Sequence, residues 1–365
     1  MRLSSIGDVV HTLPALAALH RHGWEADWLV EPPSRVLLDL NPLLARVQSA
    51  PSRKAFGWGK ALATVRALRS RRYDAALDFQ GLWKSAAWAR TSGARRVIGW
   101  ERGSRREPSS LLLIGEPVPR AGGGHVIDKN LALLRPLGIE AVGLREFPLP
   151  LSAEAVARVD AGLAALGGGE IAVLNPGGGW ASKLWTAERH GELAKGLRAL
   201  GLLPLVSWGP GEEALADRVV AASGGAAVRC FPTTLLDYVE IARRARLVVA
   251  ASGGAARRSF PTTLLDYAEI ARRARLVVAA DTGPLHLACA VGAPVVALFG
   301  PTDPARNGPF AAEDVVIRKM PPCAPCYSRS CARHAGVMDG IVVAEVLAAA
   351  ERRLALAREP GSRAV

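Results

Sequence analysis

Residues 74–100 read DAALDFQGLWKSAAWARTSGARRVIGW and contain the pattern that decides the fold. A strand-like run, Asp74–Phe79, precedes a helical stretch, Trp83–Thr91, which leads into a second strand-like run, Arg96–Trp100. Strand, helix and strand in this order form the βαβ unit of a parallel sheet, because the crossover helix must pack back onto one face. We therefore predict an α/β protein with doubly wound parallel sheets.

The same alternation extends along the chain and restarts after a proline-bearing stretch, 138–153. We predict two Rossmann-like domains that face a central cleft, with residues 1–145 in the first and 146–365 in the second. The other predicted helices are Leu13–His22, Trp58–Arg71, Val126–Leu137, Ala187–Leu200 and Glu212–Ala222, and the other predicted strands are Ala26–Val30, Ile171–Leu174, Leu203–Ser207, Leu276–Ala279 and Val295–Phe299.

The composition excludes several classes of protein. The chain has 365 residues, of which 50% are hydrophobic and 22% charged, so it can fill two cores and is not disordered. No apolar run reaches the roughly 18 residues of a membrane-spanning helix, and the first residues lack a signal-peptide pattern. Five cysteines do not make a secreted disulfide framework. These features predict a cytoplasmic protein.

The net charge of +13 is concentrated in one region. From Arg53 to Arg106 the chain has 14 Lys and Arg residues against three acids. Such a field attracts polyanions, including nucleic acid, anionic lipid head groups and phosphorylated glycolipids, unless it only reflects solvated arginine-rich helix faces. Because no nucleic-acid motif accompanies the charge, we predict no nucleic-acid partner.

Residues 4–14, SSIGDVVHTLP, carry the first candidate site. Gly7 permits a sharp turn, and Pro14 suits the start of a helix. Asp8, on a strand-to-helix loop, would point into the ligand crevice of a doubly wound sheet and act as a general base. The alternative is that Asp8 or Thr12 only caps the helix.

Two further loops are suited to phosphate. Residues 175–180, NPGGGW, follow a strand and precede Lys183, although the spacing is not that of a Walker loop. Residues 280–287, ADTGPLHL, place the N–H groups of Thr282 and Gly283 at a helix start, with Asp281 and His286 beside them. The alternatives are a flexible loop with a solvated lysine and, for His286, a buried core histidine.

A tandem duplication interrupts the second half of the chain. Residues 222–250 recur as 251–279 and differ at only three positions, Val228/Arg257, Cys230/Ser259 and Val239/Ala268. Because the second copy runs directly into Asp281, we predict that it holds the native position in the sheet. The first copy would then lie at a sheet edge or bulge out as an insertion.

Taken together, these motifs resemble glycosyltransferase family 9, the ADP-heptose:lipopolysaccharide heptosyltransferases. They follow the family's order along nearly the whole chain: residues 2–8 (RLSSIGD), 11–14 (HTLP), 78–85 (DFQGLWKS), 106–110 (REPSS), 183–185 (KLW), 281–286 (DTGPLH) and 300–304 (GPTDP). Three features depart from the family, namely the duplication, an N-terminus that lacks the usual first apolar strand, and an acceptor pocket that matches the family only in patches.

The resemblance implies a GT-B fold and an inverting, metal-independent enzyme without a cofactor, which moves heptose from ADP-heptose to the Kdo–lipid A core at the inner face of the inner membrane. A related transferase with another sugar, an epimerase and a degenerate glycolipid-binding protein are the alternatives. We expect a monomer whose site residues are Asp8 as the base; Lys183, Glu212 or Glu213, Asp281, Thr282, Gly283 and His286 for the nucleotide sugar; and Ser5, Gln80, Lys84 and Arg106 for the acceptor.

A cysteine cluster near the C-terminus is the one candidate metal site. Cys323, Cys326, Cys331 and His334 have the spacing of a zinc knuckle. The alternative is a cysteine-rich loop without metal.

Overall fold

The computed structural model describes residues 1–4, 6–35, 37–39, 41–51, 57–119, 124–149, 164–165, 171–176, 184–206, 208, 212–229, 245–250, 277–290, 292–326 and 337–356. The chain divides into two compact units, Met1–Pro150 and Leu151–Val365. No helix in these described ranges is both long enough and apolar enough to cross a bilayer.

The first unit is an α/β structure with two small parallel sheets, one of β1 and β2 and one of β3, β4 and β5 in that order. Its elements in chain order are α1 (Ile6–Val10), α2 (Leu13–Arg21), β1 (Ala26–Val30), α3 (Pro32–Arg35), β2 (Leu44–Ser49), α4 (Trp58–Arg69), β3 (Ala75–Asp78), α5 (Trp83–Thr91), β4 (Arg96–Trp100), two 3-10 turns (Arg102–Ser104 and Pro108–Leu113), β5 (Glu116–Val118), α6 (Val126–Ala132) and a last 3-10 turn (Arg135–Leu137).

The predicted βαβ unit of residues 74–100 is confirmed. β3 pairs with β4 in parallel, with Ala75 opposite Arg96 and Asp78 opposite Gly99. α5 connects the two strands and buries Ser85, Ala86 and Ala89, which recur every three or four residues and so face the sheet. The helix predicted over Val126–Leu137 is shorter, because it ends at Ala132 and the chain continues into the 3-10 turn.

The first three residues join the two small sheets of this unit. The Met1 carbonyl accepts a hydrogen bond of 3.2 Å from the Phe79 amide, and the Leu3 carbonyl accepts one of 3.0 Å from the Glu31 amide. Residues 1–3 therefore lie between the ends of β3 and β1 and run in the same direction as these two strands. The carboxyl ends of the two sheets consequently form one edge beside residue 4.

The second unit contains a seven-stranded parallel sheet in the order β12-β11-β10-β9-β6-β7-β8. Its elements are β6 (Ile171–Asn175), α7 (Ala187–Ala199), β7 (Leu203–Val206), α8 (Glu213–Ala222), β8 (Val228–Arg229), β9 (Ala245–Ala250), β10 (Val277–Ala280), α9 (Gly283–Ala290), β11 (Val295–Phe299), α10 (Pro304–Asn307), β12 (Val315–Arg318), a 3-10 turn (Val337–Gly340) and α11 (Val343–Leu356). From β6 the chain adds β7 and β8 toward one edge of the sheet. It then returns to the other side of β6 and adds β9 to β12 toward the opposite edge, so the topological switch point lies between β6 and β9.

The position of the first repeat contradicts our expectation that it lies at an edge or bulges out. Its last residues form β9, which pairs in parallel with β6 on one side and with β10, from the second repeat, on the other. Ala250 lies opposite Asn175, and Val249 lies opposite Val278. A strand with the apolar sequence LVVA on a sheet with helices on both faces satisfies its backbone best in the interior, where both of its edges are paired.

Candidate active site

In the first unit, Asp8 lies on a short helix rather than on the loop we predicted. α1 spans Ile6–Val10 and includes Gly7, because the chain begins to coil directly after residue 5 instead of making a glycine turn. Thr12 occupies the N-cap position of α2, but its side chain makes no capping hydrogen bond there; its hydroxyl instead donates a 2.8 Å hydrogen bond to the Asp8 carbonyl.

The Asp8 carboxylate forms an ion pair with Arg2, a residue that the sequence analysis did not select. Oδ1 of Asp8 contacts Nη2 of Arg2, and the Asp8 side chain keeps 32% of its surface exposed. Arg2 itself is 8% exposed, and its Nη1 donates a 2.6 Å hydrogen bond to the Phe79 carbonyl. Arg2 thus ties the carboxylate to the carboxyl end of β3, which fixes where Asp8 lies.

The loop after β3 is shaped by the Asp78 carboxylate. Its Oδ1 accepts hydrogen bonds from the amides of Gln80, at 3.1 Å, and Gly81, at 3.2 Å. The φ of Gly81 is +69°, a left-handed conformation that favours glycine. Oε1 of Gln80 accepts a 2.9 Å bond from the Leu3 amide, which joins this loop to the N-terminal residues.

Asp78 also forms a fully buried ion pair with Arg105. Nη2 of Arg105 lies 2.7 Å from Oδ2 of Asp78, and both side chains are 0% exposed. The same guanidinium donates to Oγ of Ser110, at 2.8 Å, and to the Trp100 carbonyl, at 3.2 Å. The pair therefore holds the loops after β3 and β4 together at one edge of the sheet.

The residues predicted for the acceptor have different surroundings at this edge. Nζ of Lys84 donates a 2.7 Å hydrogen bond to Oε1 of Glu31. Arg106 is exposed, and among the described residues no ion pair of its guanidinium is found. Gln80 is part of the loop network, and Ser5 lies outside the described residues. The structure thus brings Asp8, Gln80 and Lys84 to the same edge.

In the second unit, Asp281 follows β10 and accepts hydrogen bonds from two side chains of the next loop. Oγ1 of Thr302 donates at 2.6 Å to Oδ2, and Nδ2 of Asn307 donates to Oδ1. Nε2 of His286 lies 3.4 Å from Oδ1. Asp281 is 4% exposed and His286 7%, so the carboxylate is the centre of a buried polar cluster that locks two loops together.

The Thr282 hydroxyl is the unusual group in this cluster. Thr282 is 4% exposed, and its Oγ1 is buried without a hydrogen-bond partner in the described part of the chain. A buried hydroxyl without a partner costs free energy, so it is typical of a position that a ligand completes. It lies at the N-terminus of α9, where the helix dipole favours an anion.

Close packing fixes the loop that carries Thr302. A Cβ on Gly300 would lie 2.6 Å from Sδ of Met338 and 3.0 Å from Cγ1 of Val337, so a larger residue would push this turn outward. Thr302 could then no longer reach Asp281. Neither Thr302 nor Asn307 was predicted as a site residue, although the quoted GPTDP motif contains Thr302.

The remaining predicted residues are only partly described. Lys183 lies outside the described residues, as do Cys331 and His334 of the cysteine cluster. Glu212 precedes α8 and Glu213 is its first residue; both are half-buried. Cys323 is exposed and Cys326 half-buried, and neither forms a disulfide within the described residues.

Solved structures with similar folds cover nearly the whole chain. A family 9 glycosyltransferase from Veillonella parvula superposes with a TM-score of 0.74 at 18% identity, covering 97% of this chain and 96% of that one. An Escherichia coli heptosyltransferase solved with ADP superposes at 0.66 and 24% identity, covering 97% and 98%. Each unit is a parallel α/β structure with a polar cluster at strand carboxyl ends, and the similarity to these structures shows that the chain has the GT-B fold.

Sequence comparison identifies the family. The model of glycosyltransferase family 9 (heptosyltransferase) matches residues 61–255 and 260–335. Lipopolysaccharide heptosyltransferase 1 of Pseudomonas aeruginosa is 32% identical over 351 residues, which is 91% of this chain and 86% of that protein. The corresponding Escherichia coli K12 protein is 28% identical and covers 87% of this chain and 92% of its own. The chain belongs to glycosyltransferase family 9, as its motifs predicted.

Proposed function

We propose that this chain transfers heptose from ADP-heptose to the Kdo–lipid A core of lipopolysaccharide, with inversion at the anomeric carbon and without a metal ion. The similarity to lipopolysaccharide heptosyltransferases over most of the chain supports the sugar and the acceptor class. The second unit would bind the nucleotide sugar and the first would bind the acceptor. We place the reaction in the cytoplasm, at the inner face of the inner membrane.

The observation that carries this proposal is the buried Thr282 hydroxyl at the N-terminus of α9. A diphosphate oxygen would supply the partner that this hydroxyl lacks, and the amide of Gly283 would donate to the same group. Lys183 would neutralise the second phosphate, so that ADP leaves without a metal. Asp281 is already held by Thr302 and Asn307, and it would orient this turn together with His286. Glu212 or Glu213 would bind the ribose.

Asp8 would act as the general base. The acceptor hydroxyl oxygen attacks the anomeric carbon of the donor, and the bond from that carbon to the β-phosphate oxygen breaks. ADP leaves with the electron pair of the broken bond, and the Asp8 carboxylate takes the hydroxyl proton. Attack from the face opposite to ADP inverts the configuration. The Arg2 ion pair supports this role, because it fixes the carboxylate while leaving part of it exposed.

Cationic side chains at the same edge would bind the acceptor. Arg106 is exposed. Lys84 is paired with Glu31, and this lysine would also bind a phosphate or carboxylate of the acceptor. Gln80 and Ser5 would contact the acceptor sugar. Since Gln80 is fixed by Asp78 and Leu3, this part of the edge is preorganised.

The test is to incubate the chain with ADP-heptose, with and without Kdo–lipid A, and to measure released ADP. The Asp8→Asn variant should lose at least about 100-fold in transfer, as expected for a general base, while it still binds ADP-heptose. Asp39→Asn is the matched control, because Asp39 is a half-exposed carboxylate that pairs with Arg35 within the same unit.

Each other outcome contradicts a stated part of the proposal. Equal transfer by Asp8→Asn removes Asp8 from the mechanism. Donor turnover without acceptor indicates an epimerase, and lipid binding without turnover indicates a glycolipid-binding protein. Transfer from a different nucleotide sugar indicates a related transferase.

A further inference from the structure

One strip of α4 exposes large apolar side chains to solvent. Trp58 is 84% exposed and Leu62 is 49% exposed. These residues and Arg66 recur every four positions, so they lie above one another on one side of the helix. A tryptophan and a leucine exposed side by side make a small apolar surface on an otherwise basic helix.

The opposite side of α4 provides its packing. Thr64 is 5% exposed and Leu68 3% exposed, and Leu68 packs in a cluster with Leu3 and Leu29. Two positions apart on a helix correspond to about 200° of rotation, so Thr64 faces away from Leu62. Replacing Trp58 or Leu62 therefore leaves the packed side of this helix intact.

The segment of sequence that contains α4 is basic. Between Arg53 and Tyr73 the chain has seven Lys and Arg residues and no acid. Arg66 and Arg69 are exposed on α4 itself, four and seven positions after Leu62 and therefore on the same side of the helix. Cations next to exposed tryptophan and leucine are typical of helices that bind anionic lipid surfaces, where the ring enters the headgroup layer and the cations meet phosphates.

The position of α4 connects this surface with the acceptor edge, which is the edge formed by the carboxyl ends of β1 and β3. α4 connects β2 to β3. Both strands run parallel to residues 1–3, which lie between the two small sheets. In such a crossover the N-terminal end of the helix lies at the carboxyl edge of the strands. Trp58 is thus at the edge that carries Gln80 and Lys84.

We propose that α4 docks the chain onto an anionic lipid bilayer, with Trp58 and Leu62 in the headgroup layer and Arg66 and Arg69 on lipid phosphates. This inference rests on the proposed function and deepens it, because an acceptor anchored by acyl chains is presented at a bilayer surface. The docked helix would bring the acceptor edge of the first unit to that surface.

The experiment measures flotation of the full chain with vesicles of 30% phosphatidylglycerol in phosphatidylethanolamine and with vesicles of phosphatidylcholine alone. The wild type should bind the anionic vesicles at least about 10-fold more tightly. Trp58→Ser with Leu62→Ser should lose about 10-fold or more in this binding. Arg66→Gln with Arg69→Gln should lose about 25-fold, at roughly fivefold for each cation.

Leu200→Ser is the matched control, since Leu200 is a leucine of similar exposure, 45%, in the second unit. It should bind vesicles as the wild type does. Equal vesicle binding by the wild type and the Trp58/Leu62 variant overturns the proposal, and so does equal binding to neutral and anionic vesicles. Binding to a DNA duplex that falls with the same variant, without vesicle binding, overturns it in favour of nucleic acid.

A transfer assay distinguishes failure of docking from failure of the proposed function. With a water-soluble, deacylated acceptor, the Trp58/Leu62 variant should transfer as the wild type does, and with vesicle-embedded acceptor it should lose about 10-fold. Absence of transfer to either acceptor, with the expected vesicle binding, rejects the function and supports the docking surface. If the chain transfers heptose to the soluble acceptor but the variants do not show the expected loss of vesicle binding, only the docking surface is rejected.

Discussion

Removing one repeat should tighten ADP binding, because the inserted strand separates two parts of the proposed nucleotide site. β9 lies between β6 and β10, and neighbouring strands are about 4.8 Å apart. In a chain that lacks residues 251–279, the strand paired with β6 runs directly into Ala280 and Asp281. We expect the turn at 281–283 to move by one strand spacing, about 4.8 Å, toward the carboxyl end of β6.

The magnitude follows from the reach of a hydrogen bond. The segment that follows β6 contains Lys183, and we propose that Lys183 and Thr282 hold the same diphosphate. A hydrogen bond acts over about 3 Å, so we expect the extra distance of about 4.8 Å in the full chain to leave Lys183 acting on the diphosphate as a longer-range charge and not through a direct hydrogen bond. One charge-assisted hydrogen bond contributes about 1.5–3 kcal/mol. The deletion should therefore lower the Kd for ADP by about 10-fold to 150-fold.

Calorimetric titration with ADP checks this expectation. The matched control removes the first repeat, residues 222–250, and leaves a chain that differs from the first deletion at only three positions. Both deletions should bind ADP equally well, and the gain over the full chain should disappear when Lys183→Ala is added. Folded deletion variants that bind ADP no more tightly than the full chain would refute the reasoning.

Two further predictions concern stability. Arg105→Met leaves the buried Asp78 carboxylate without its counter-ion, so urea unfolding followed by tryptophan fluorescence should show about 3–5 kcal/mol less stability for the first unit. Adding Asp78→Asn should recover part of this loss, and no recovery would contradict the ion-pair account. In the second unit, burial raises the pKa of Asp314 to about 6, although the Val295 amide and Arg353 oppose the shift. The folded state then holds this proton more tightly than the unfolded state, so the contribution of Asp314 to stability should fall by up to about 3 kcal/mol between pH 4 and pH 6. Asp314→Asn should flatten this part of the pH profile of thermal unfolding. An unchanged profile would exclude Asp314 as the source of the pH dependence.

Several elements of both units could be predicted from the sequence. The bounds of β1, α5, β4 and β11 agree with the predictions, because the three strands are apolar runs with clear breaks at their ends and α5 has small residues at helical spacing. β2 and β12 were missed. Both are half-exposed strands, with Arg46 and Gln48 in the first and Arg318 in the second, and they lack the continuous apolar run that marks an interior strand.

The site could be predicted as a set of motifs but not as a network. Asp281 and His286 are close in the sequence, so their proximity in space follows from one helical turn. Other contacts depend on how distant segments pair. The hydrogen bond from Arg2 to Phe79 and the ion pair of Asp78 with Arg105 form only because strands far apart in the chain pair in a particular register. The place of β9 was predicted wrongly for the same reason, since both repeats have the same intrinsic preference and only their pairing partners distinguish them.

The repeat behind β9 also has a genetic consequence. A stretch of coding sequence that is nearly identical to its neighbour can be lost or copied again by recombination or by slippage during replication, without a change of reading frame. Because β9 is paired along both of its edges, one such event would add or remove a whole strand of the sheet. Lineages that carry this gene could therefore alternate between a wider and a narrower sheet in single generational steps, with nucleotide affinity as the trait on which selection acts.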